Sequence, residues 1–148
     1  MRRQIFTWFI IFFCFIFLFI RFFLGAPIAS DSLVSQLNQV RKNYGLADLK
    51  ENPQLYFSAG QKACDLAEKK YWSHTDPSNH PFDWWITKAG YHFHLAGENL
   101  ARNFKNDTIM ITAWMNSPKH RANILSKDYQ EIGIGRCGIY TVIHFGQR

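Results

Sequence analysis

The apolar residues of the chain form three patterns: an unbroken N-terminal block, a middle part with helical spacing, and a C-terminal part with strand-like alternation. The block runs over Ile5–Ile20 with Thr7 as its one polar residue, and Phe22–Leu24 follow Arg21. A helix rises about 1.5 Å per residue, so residues 5–24 would span about 30 Å, the thickness of a hydrocarbon core, with Arg21 reaching back to the interface. The pattern predicts an N-terminal transmembrane helix.

The charges before this block predict its orientation. Arg2 and Arg3 precede it, and positively charged flanks stay in the cytoplasm, so the rest of the chain would be exported. A cleaved secretory signal is the alternative, because a basic start before an apolar stretch is also its usual form. Cleavage needs small residues at −3 and −1, whereas Leu24-Gly25-Ala26 has a bulky −3 residue and is followed by Pro27. We therefore expect a single-pass signal anchor in the cell membrane, with secretion after cleavage as the alternative.

Residues 1–29 are assigned to this anchor and its tether, and residues 30–148 to one domain of ordinary size. Helical spacing dominates the first half of the domain. A first helix is predicted from Ser30 or Asp31 as N-cap to a stop at Gly45, and a second begins at Asn52-Pro53, an N-cap followed by proline, and runs to about Tyr71. Shorter helices are predicted after Pro81, after Asp107 and over residues 119–125.

Strand-like alternation follows in three segments, Tyr91–Leu95, Ile132–Arg136 and Ile139–Phe145. The last two are predicted to turn around Gly138 and to complete a small three-stranded antiparallel sheet with the first. Residues 72–81 are rich in turn formers and polar side chains, which indicates a loop. Helices followed by a terminal hairpin favour an α+β fold.

Charge and cysteine content limit the class of protein. The chain has 17 Lys and Arg against 11 Asp and Glu, an excess of six, and three of the arginines belong to the N-terminal block. The remaining excess of three is too small and too dispersed for a nucleic-acid-binding surface, so we expect no nucleic-acid partner. Cys14 lies in the apolar block, which leaves Cys64 and Cys137 as one candidate disulfide in an oxidising compartment. The sequence does not decide whether they are bonded.

Five short motifs occur in an order that resembles a known family. They are Trp72-Ser73-His74, Gly90-Tyr91, Gly97-Glu98-Asn99-Leu100-Ala101, Trp114-Met115-Asn116-Ser117-Pro118-Lys119-His120-Arg121-Ala122-Asn123-Ile124-Leu125 and Ile132-Gly133-Ile134-Gly135. Over about residues 31–146 the chain resembles the CAP superfamily, named for cysteine-rich secretory proteins, antigen 5 and pathogenesis-related proteins, in its short bacterial-type form. The resemblance implies an α-β-α sandwich around a small antiparallel sheet, in agreement with the predicted α+β class.

The resemblance also implies a surface cleft lined by two histidines and two acids. His74, Glu98 and His120 match three of these four positions. The fourth acid is expected three residues after the tryptophan of the fourth helix, where this chain has Ser117. That departure weakens a catalytic interpretation more than the fold assignment. Glu131 is a nearby substitute in the sequence but does not match the position.

The three matching residues are suited to two kinds of chemistry. Two neutral imidazoles and a carboxylate are suitable ligands for zinc, with water in the fourth place, so His74, Glu98 and His120 are a candidate zinc site. Without metal they form an acid–base cluster. Asn99 and Ser117 are predicted as further binding residues of the cleft, and Ser117 is interpreted as the N-cap of a helix begun by a proline rather than as a nucleophile.

Two functions of different classes follow from these residues. The first is an exported, membrane-anchored binding module that recognises a lipid, a cell-wall component or a surface protein through the His/Glu cleft. The second is a metal-dependent or acid–base hydrolase of peptide or cell-wall substrates. No activated nucleophile is recognisable, since Ser117 lacks the glycine pattern of a serine elbow and Cys64 lies in a predicted helix. The sequence therefore favours binding.

Overall fold

Five helices and four strands are formed by residues 32–148, the part of the chain that the computed structural model describes. In chain order they are α1 (Leu33–Asn43), β1 (Lys50–Glu51), α2 (Pro53–Lys69), α3 (Phe82–Lys88), β2 (Leu95–Arg102), α4 (Asp107–Asn116), α5 (Pro118–Ile124), β3 (Glu131–Cys137) and β4 (Tyr140–Gln147). The predicted transmembrane helix and tether lie outside the described residues. No helix within residues 32–148 has the length and apolar character needed to cross a bilayer.

Side-chain caps begin the two long helices. The Ser32 side chain accepts a hydrogen bond from the Ser35 N–H at 3.2 Å, so α1 starts one residue later than a cap at Asp31 would place it. The Asn52 side chain accepts from the N–H groups of Gln54 and Leu55 at 2.9 and 3.3 Å, which confirms Asn52 as the N-cap of α2. The predicted start of α2 is therefore confirmed, whereas the N-cap of α1 is Ser32 and not the expected Ser30 or Asp31.

The sheet has four strands in the order β1-β3-β4-β2. β3 and β4 form the predicted hairpin around Gly138, which adopts a left-handed conformation with φ of 56°. β2 pairs antiparallel with β4, and the short β1 pairs parallel with β3. The expected three-stranded antiparallel sheet was therefore incomplete: the sheet is mixed and has a fourth strand.

The third predicted strand was placed too early in the sequence. Tyr91–Leu95 was expected, whereas the strand is β2, which begins at Leu95. Residues 97–101 of β2 are buried on both faces of the strand and include the polar residues Glu98 and Asn99. The alternation that marks a half-buried strand is therefore absent there.

Helices cover both faces of the sheet, which gives the layered arrangement expected from the resemblance. On one face, Ala59, Ala63 and Leu66 of α2 pack against Leu100 of β2 and Val142 of β4. On the other face, α1, α4 and α5 share a larger core with the sheet, and its central members are Leu33, Leu37, Met110, Trp114, Ile124, Ile132, Ile143 and Phe145. Residues 31–148 thus form a compact unit with its own cores.

α2 lies close to β3 at Gly133 and Gly135 and is joined to it by a disulfide. A Cβ atom on Gly133 would collide with the backbone of α2 at Leu55 and Tyr56, so the helix can approach this strand only where side chains are missing. Further along, Cys64 of α2 and Cys137 of β3 form a disulfide, with their Cα atoms 5.0 Å apart. The candidate pair of the sequence is therefore joined in the structure.

Candidate functional site

A cleft of about 830 Å³ lies at the free edge of the sheet. β2 is the edge strand, with the loop after α2 on one side and α5 on the other. The residues that line the cleft are Trp72, Ser73, His74, Phe82, Ala96, Gly97, Glu98, Leu100, Ser117, Lys119, His120, Ala122, Asn123 and Tyr129. The fold therefore brings His74, Glu98, His120 and Ser117 to one concave surface, although they are far apart in the sequence.

Glu98 forms the floor of the cleft and is held between two histidines. Its side chain is on the α2 side of β2 and only 1% exposed. Oε1 lies 2.6 Å from Nδ1 of His74, and Oε2 lies 3.1 Å from Nε2 of His144. Burial alone would raise the pKa of the Glu98 carboxyl, but the hydrogen bonds from His144 and His74, with the charges of His144 and Lys62, lower it below its usual value. Glu98 is therefore ionised at neutral pH.

The ionised carboxylate fixes the protons on both rings. A carboxylate only accepts hydrogen bonds, so Nδ1 of His74 and Nε2 of His144 each carry a proton and donate it to Glu98. For His74 this leaves Nε2 as the ring nitrogen available to a ligand. The His74 side chain is 58% exposed, so that nitrogen is accessible to molecules in the cleft.

His144 is the residue of this site that the sequence did not reveal. It is fully buried on β4, directly opposite Glu98 in the strand register. Its Nδ1 lies 2.7 Å from Oγ of Ser58 on α2, and Ser58 Oγ lies 3.0 Å from the Leu55 carbonyl oxygen. A single histidine within the apolar run of the last strand was the available signal, but only the pairing of β2 with β4 shows its partner.

Ser58, His144 and Glu98 are linked in the same order as a hydrolase triad, although here the serine meets Nδ1 and the carboxylate meets Nε2. Ser58 and His144 have no exposed surface, however, so no substrate can reach the serine hydroxyl. These two residues therefore orient Glu98 and, through it, His74, and they do not act as a nucleophile and its base.

Lys62 supplies a buried positive charge behind the floor of the cleft. It is fully buried on α2, and its ammonium group donates to the Tyr71 hydroxyl at 2.8 Å and to the His74 carbonyl at 3.3 Å. Burial lowers the pKa of Lys62, while the charges of Glu98, Asp65 and Asp76 oppose that shift. The bond to the His74 carbonyl links this charge directly to the loop that carries the exposed imidazole.

His120 is held in the cleft by amide side chains from β2 and α5. Asn99 Nδ2 donates to the His120 carbonyl at 3.1 Å, and Asn123 Nδ2 donates to Asn99 Oδ1 at 2.8 Å and to the Glu98 carbonyl at 3.0 Å. Burial, and secondarily the charge of His74, lower the pKa of His120, which keeps its ring neutral at pH 7. Asn99 is fully buried, so its amide positions α5 rather than facing a ligand.

Ser117 and Glu131 occupy different environments. Ser117 lines the cleft and precedes α5 in the N-cap position with Pro118 after it, but its side chain makes no capping hydrogen bond. Glu131 accepts hydrogen bonds from Asn52 at 2.8 Å and from the Tyr91 hydroxyl at 2.6 Å, on the far side of the sheet from α5. Glu131 therefore does not replace the missing fourth acid of the cleft.

The geometry does not fit the zinc site expected from His74, Glu98 and His120. Oε1 of Glu98 is hydrogen-bonded to the His74 ring itself and Oε2 to the His144 ring, so the carboxylate and the His74 imidazole face each other rather than a shared ion. Among residues 32–148, no group of three or more His, Cys, Asp and Glu side chains is arranged to hold a metal ion. The cleft is better described as a hydrogen-bonded acid–base site with two accessible imidazoles.

Comparison with known proteins shows the family. The chain belongs to the CAP family, the cysteine-rich secretory protein family, whose profile matches residues 34–141. YkwD of Bacillus subtilis is 36% identical over 104 residues, which are 70% of this chain and 40% of YkwD. The membrane protein YlbC of the same species is 30% identical over 121 residues, which are 81% of this chain and 35% of YlbC. The matched part of the chain therefore spans less than half the length of these two relatives.

Solved structures of the same fold are also similar. An extracellular protein containing an SCP domain from Bacillus anthracis matches with a TM-score of 0.76 at 24% identity, over 78% of this chain and 39% of that one. An outer surface protein of Borrelia burgdorferi matches with a TM-score of 0.73 at 28% identity, over 78% of this chain and 90% of that one. The first likeness supports the fold alone, because its sequence identity is low.

Proposed function

We propose that this chain is an exported, membrane-anchored CAP-domain binding module that recognises a lipid, a cell-envelope component or a surface protein through the His/Glu cleft. The observation that carries the proposal is the pair of imidazoles, His74 and His120, on an open cleft whose one acid, Glu98, is buried and already paired. Such a site can recognise a polar group, while the serine behind it is inaccessible to substrates.

The walls of the cleft suit a ligand with both polar and apolar parts. Trp72, Phe82 and Tyr129 contribute aromatic surface, which packs against acyl chains or sugar rings. His74 Nε2 and the neutral ring of His120 offer hydrogen bonds to hydroxyl or amide groups of the ligand. This combination supports a component of the cell envelope, either lipid or cell wall, or a protein displayed there.

Export and anchoring are supported by the N-terminal pattern and by the relatives, which include a membrane protein and an outer surface protein. If the anchor is uncleaved, alkaline carbonate extraction should leave the full-length chain in the membrane pellet. Release into the medium of a chain that begins near residues 27–30 would show a cleaved signal instead.

Calorimetry with defined probes tests binding by the cleft. Residues 31–148 would be titrated with soluble muropeptides and with short-chain phosphatidylglycerol, for the unchanged domain and for His74→Ala and His120→Ala. His92→Ala is the matched control, because His92 is exposed and does not line the cleft. We expect the cleft variants to lose at least about tenfold in affinity, which corresponds to about 1.4 kcal/mol. Equal affinities for all four proteins would remove the support for cleft recognition.

A second candidate function, acid–base hydrolysis of peptide or cell-wall substrates, is favoured by one observation. The bond from His74 Nδ1 to the buried Glu98 carboxylate orients the imidazole as a carboxylate orients a general base. Mass spectrometry of the muropeptides after incubation separates this function from binding. Turnover by the unchanged domain that His74→Ala abolishes would establish hydrolysis.

A further inference from the structure

A second surface lies at the end of the sheet, where the β3–β4 turn meets the loop after β2. Two large apolar side chains are exposed there, Phe104 at 40% and Ile139 at 54%. The Asn103 N–H donates to the Ile139 carbonyl at 2.8 Å, so the two turns that carry them are held side by side. Apolar side chains that protrude together from adjacent turns mark a contact surface rather than a scattered exposed residue.

Positive charges surround these apolar side chains. The cations that line the same shallow depression as Phe104 and Ile139 are Arg102, Lys105 and Arg136. Of the described residues that line it, Asp107 is the single acid, and it pairs with Arg136 at 2.5 Å. We name Arg102, Phe104, Lys105, Arg136 and Ile139 the hairpin-end surface, which has an excess of two positive charges over the one acid beside it.

The hairpin-end surface continues to the mouth of the cleft. The Arg102 guanidinium lies 5.2 Å from the ring centre of Trp72, a distance typical of a cation–π contact. Trp72 is 45% exposed and lines the cleft. A membrane or molecule that covers the hairpin-end surface would therefore lie next to the opening of the cleft.

The start of the domain lies beside this surface. Thr108 in the first turn of α4 donates to the Gln36 side chain of α1 at 3.3 Å, and the neighbouring Asp107 pairs with Arg136 of the hairpin-end surface. The apolar block that is predicted to enter the membrane ends at Leu24. Residues 25–31, fully extended, reach at most about 25 Å. At α1, the chain enters the domain on the side that carries the hairpin-end surface.

We infer that the hairpin-end surface rests on the anionic face of a phospholipid bilayer. Phe104 and Ile139 insert among the headgroups, and Arg102, Lys105 and Arg136 lie against the lipid phosphates. This inference rests on the membrane-anchored topology proposed above and is independent of what the cleft binds. Its consequence is that the cleft opens close to the membrane surface.

Vesicle flotation tests the inference on residues 31–148, which form a compact unit without the N-terminal block. The domain should float with vesicles that contain phosphatidylglycerol and stay in solution with vesicles of phosphatidylcholine alone. Phe104→Ser combined with Ile139→Thr should reduce partitioning at least about tenfold, because buried apolar surface drives insertion. Lys105→Glu should reduce it about 30-fold, since each charge near an anionic surface contributes about fivefold. Higher salt should weaken binding of the unchanged domain.

Matched variants at the other end of α1 are the controls. Tyr44 is 52% exposed and lies against Arg121, so Tyr44→Ser removes an aromatic residue beside a cation elsewhere on the domain. Lys127→Glu reverses an exposed charge away from the hairpin-end surface. Both should float like the unchanged domain, and thermal melts by circular dichroism would confirm that every variant is folded.

Three results would overturn the inference. In the first, the unchanged domain would fail to bind the anionic vesicles, which would favour a protein partner for this surface. In the second, the variant with Phe104→Ser and Ile139→Thr would bind as well as the controls. In the third, His74→Ala would abolish flotation, which would mean that lipid is held in the cleft and would support the proposed function instead.

Discussion

Replacing His144 by leucine isolates the buried half of the site. The change removes the Nε2–H bond to Glu98 Oε2 and the contact of Nδ1 with Ser58, whose hydroxyl keeps the Leu55 carbonyl as partner. The Glu98 carboxylate, almost without exposed surface, would keep only the bond from His74, a ring open to water. A hydrogen bond to a charged group contributes about 1.5–3 kcal/mol, and loss of one partner of a buried charge costs about 3–5 kcal/mol. We expect a loss of about 3 kcal/mol at pH 7.

A double-mutant cycle separates this interaction from the loss of the ring itself. Urea denaturation of the unchanged domain, His144→Leu, Glu98→Gln and the double variant gives four free energies of unfolding. If His144 acts by holding the Glu98 carboxylate, the double variant should lose at least about 1.5 kcal/mol less than the sum of the single variants. His92→Leu, an exposed position, should change the free energy by less than about 0.5 kcal/mol.

Additivity would refute this account of the floor of the cleft. If the two single losses sum to the double loss within about 0.5 kcal/mol, His144 and Glu98 do not depend on each other. A loss below about 1 kcal/mol for His144→Leu would show that the carboxylate is adequately held without it.

Three further predictions concern the pH response, the packing and the disulfide. Because the folded pKa of Glu98 is lowered, its stabilising effect is fully present above the unfolded value of about 4.3 and is lost as pH falls through the folded value, so the advantage over Glu98→Gln in urea melts should shrink as pH falls below about 4.3. Gly133→Ala should lower the free energy of unfolding by about 2 kcal/mol or more, because the new methyl group collides with α2. Gly60→Ala, at an open helical position, should raise the free energy of unfolding by about 0.5–1 kcal/mol. Reduction of Cys64–Cys137, separated by 73 residues, should lower stability by up to about 4 kcal/mol in urea melts with and without reductant. The first prediction would be contradicted by a stability difference between the unchanged domain and Glu98→Gln that stays constant across pH. The second would be contradicted by equal effects of the two glycine substitutions, and the third by a urea midpoint that does not change with reductant.

The elements that the sequence predicted are those with local signals. Asn52-Pro53 marks the start of α2 by side-chain capping within three residues, and Gly138 marks the hairpin by its left-handed conformation. β2 was misplaced because the burial of its polar residues depends on partners that are distant in the sequence. Glu98 and Asn99 look like surface residues in the sequence, but the Glu98 carboxylate accepts hydrogen bonds from two histidines and the Asn99 amide donates to the backbone of α5.

The only site residues predicted from the sequence were those that match the family's motifs. His74, Glu98 and His120 were expected in one cleft and line it together. His144 could not be paired with Glu98 in advance, because the two meet through the register of β2 on β4, which the residue pattern does not determine. The zinc expectation used Glu98 as a metal ligand, whereas in the structure its two oxygens are bonded to the rings of His74 and His144.

Histidine side-chain NMR of residues 31–148 tests the central claim most directly. The ring ¹⁵N resonances would be followed as soluble muropeptides or short-chain phosphatidylglycerol are added. We predict that the signals of His74 and His120 shift with at least one probe and saturate, while those of the exposed His92 and His94 stay in place. Saturating binding of a probe that leaves both cleft histidines unchanged would show that recognition occurs elsewhere on the domain.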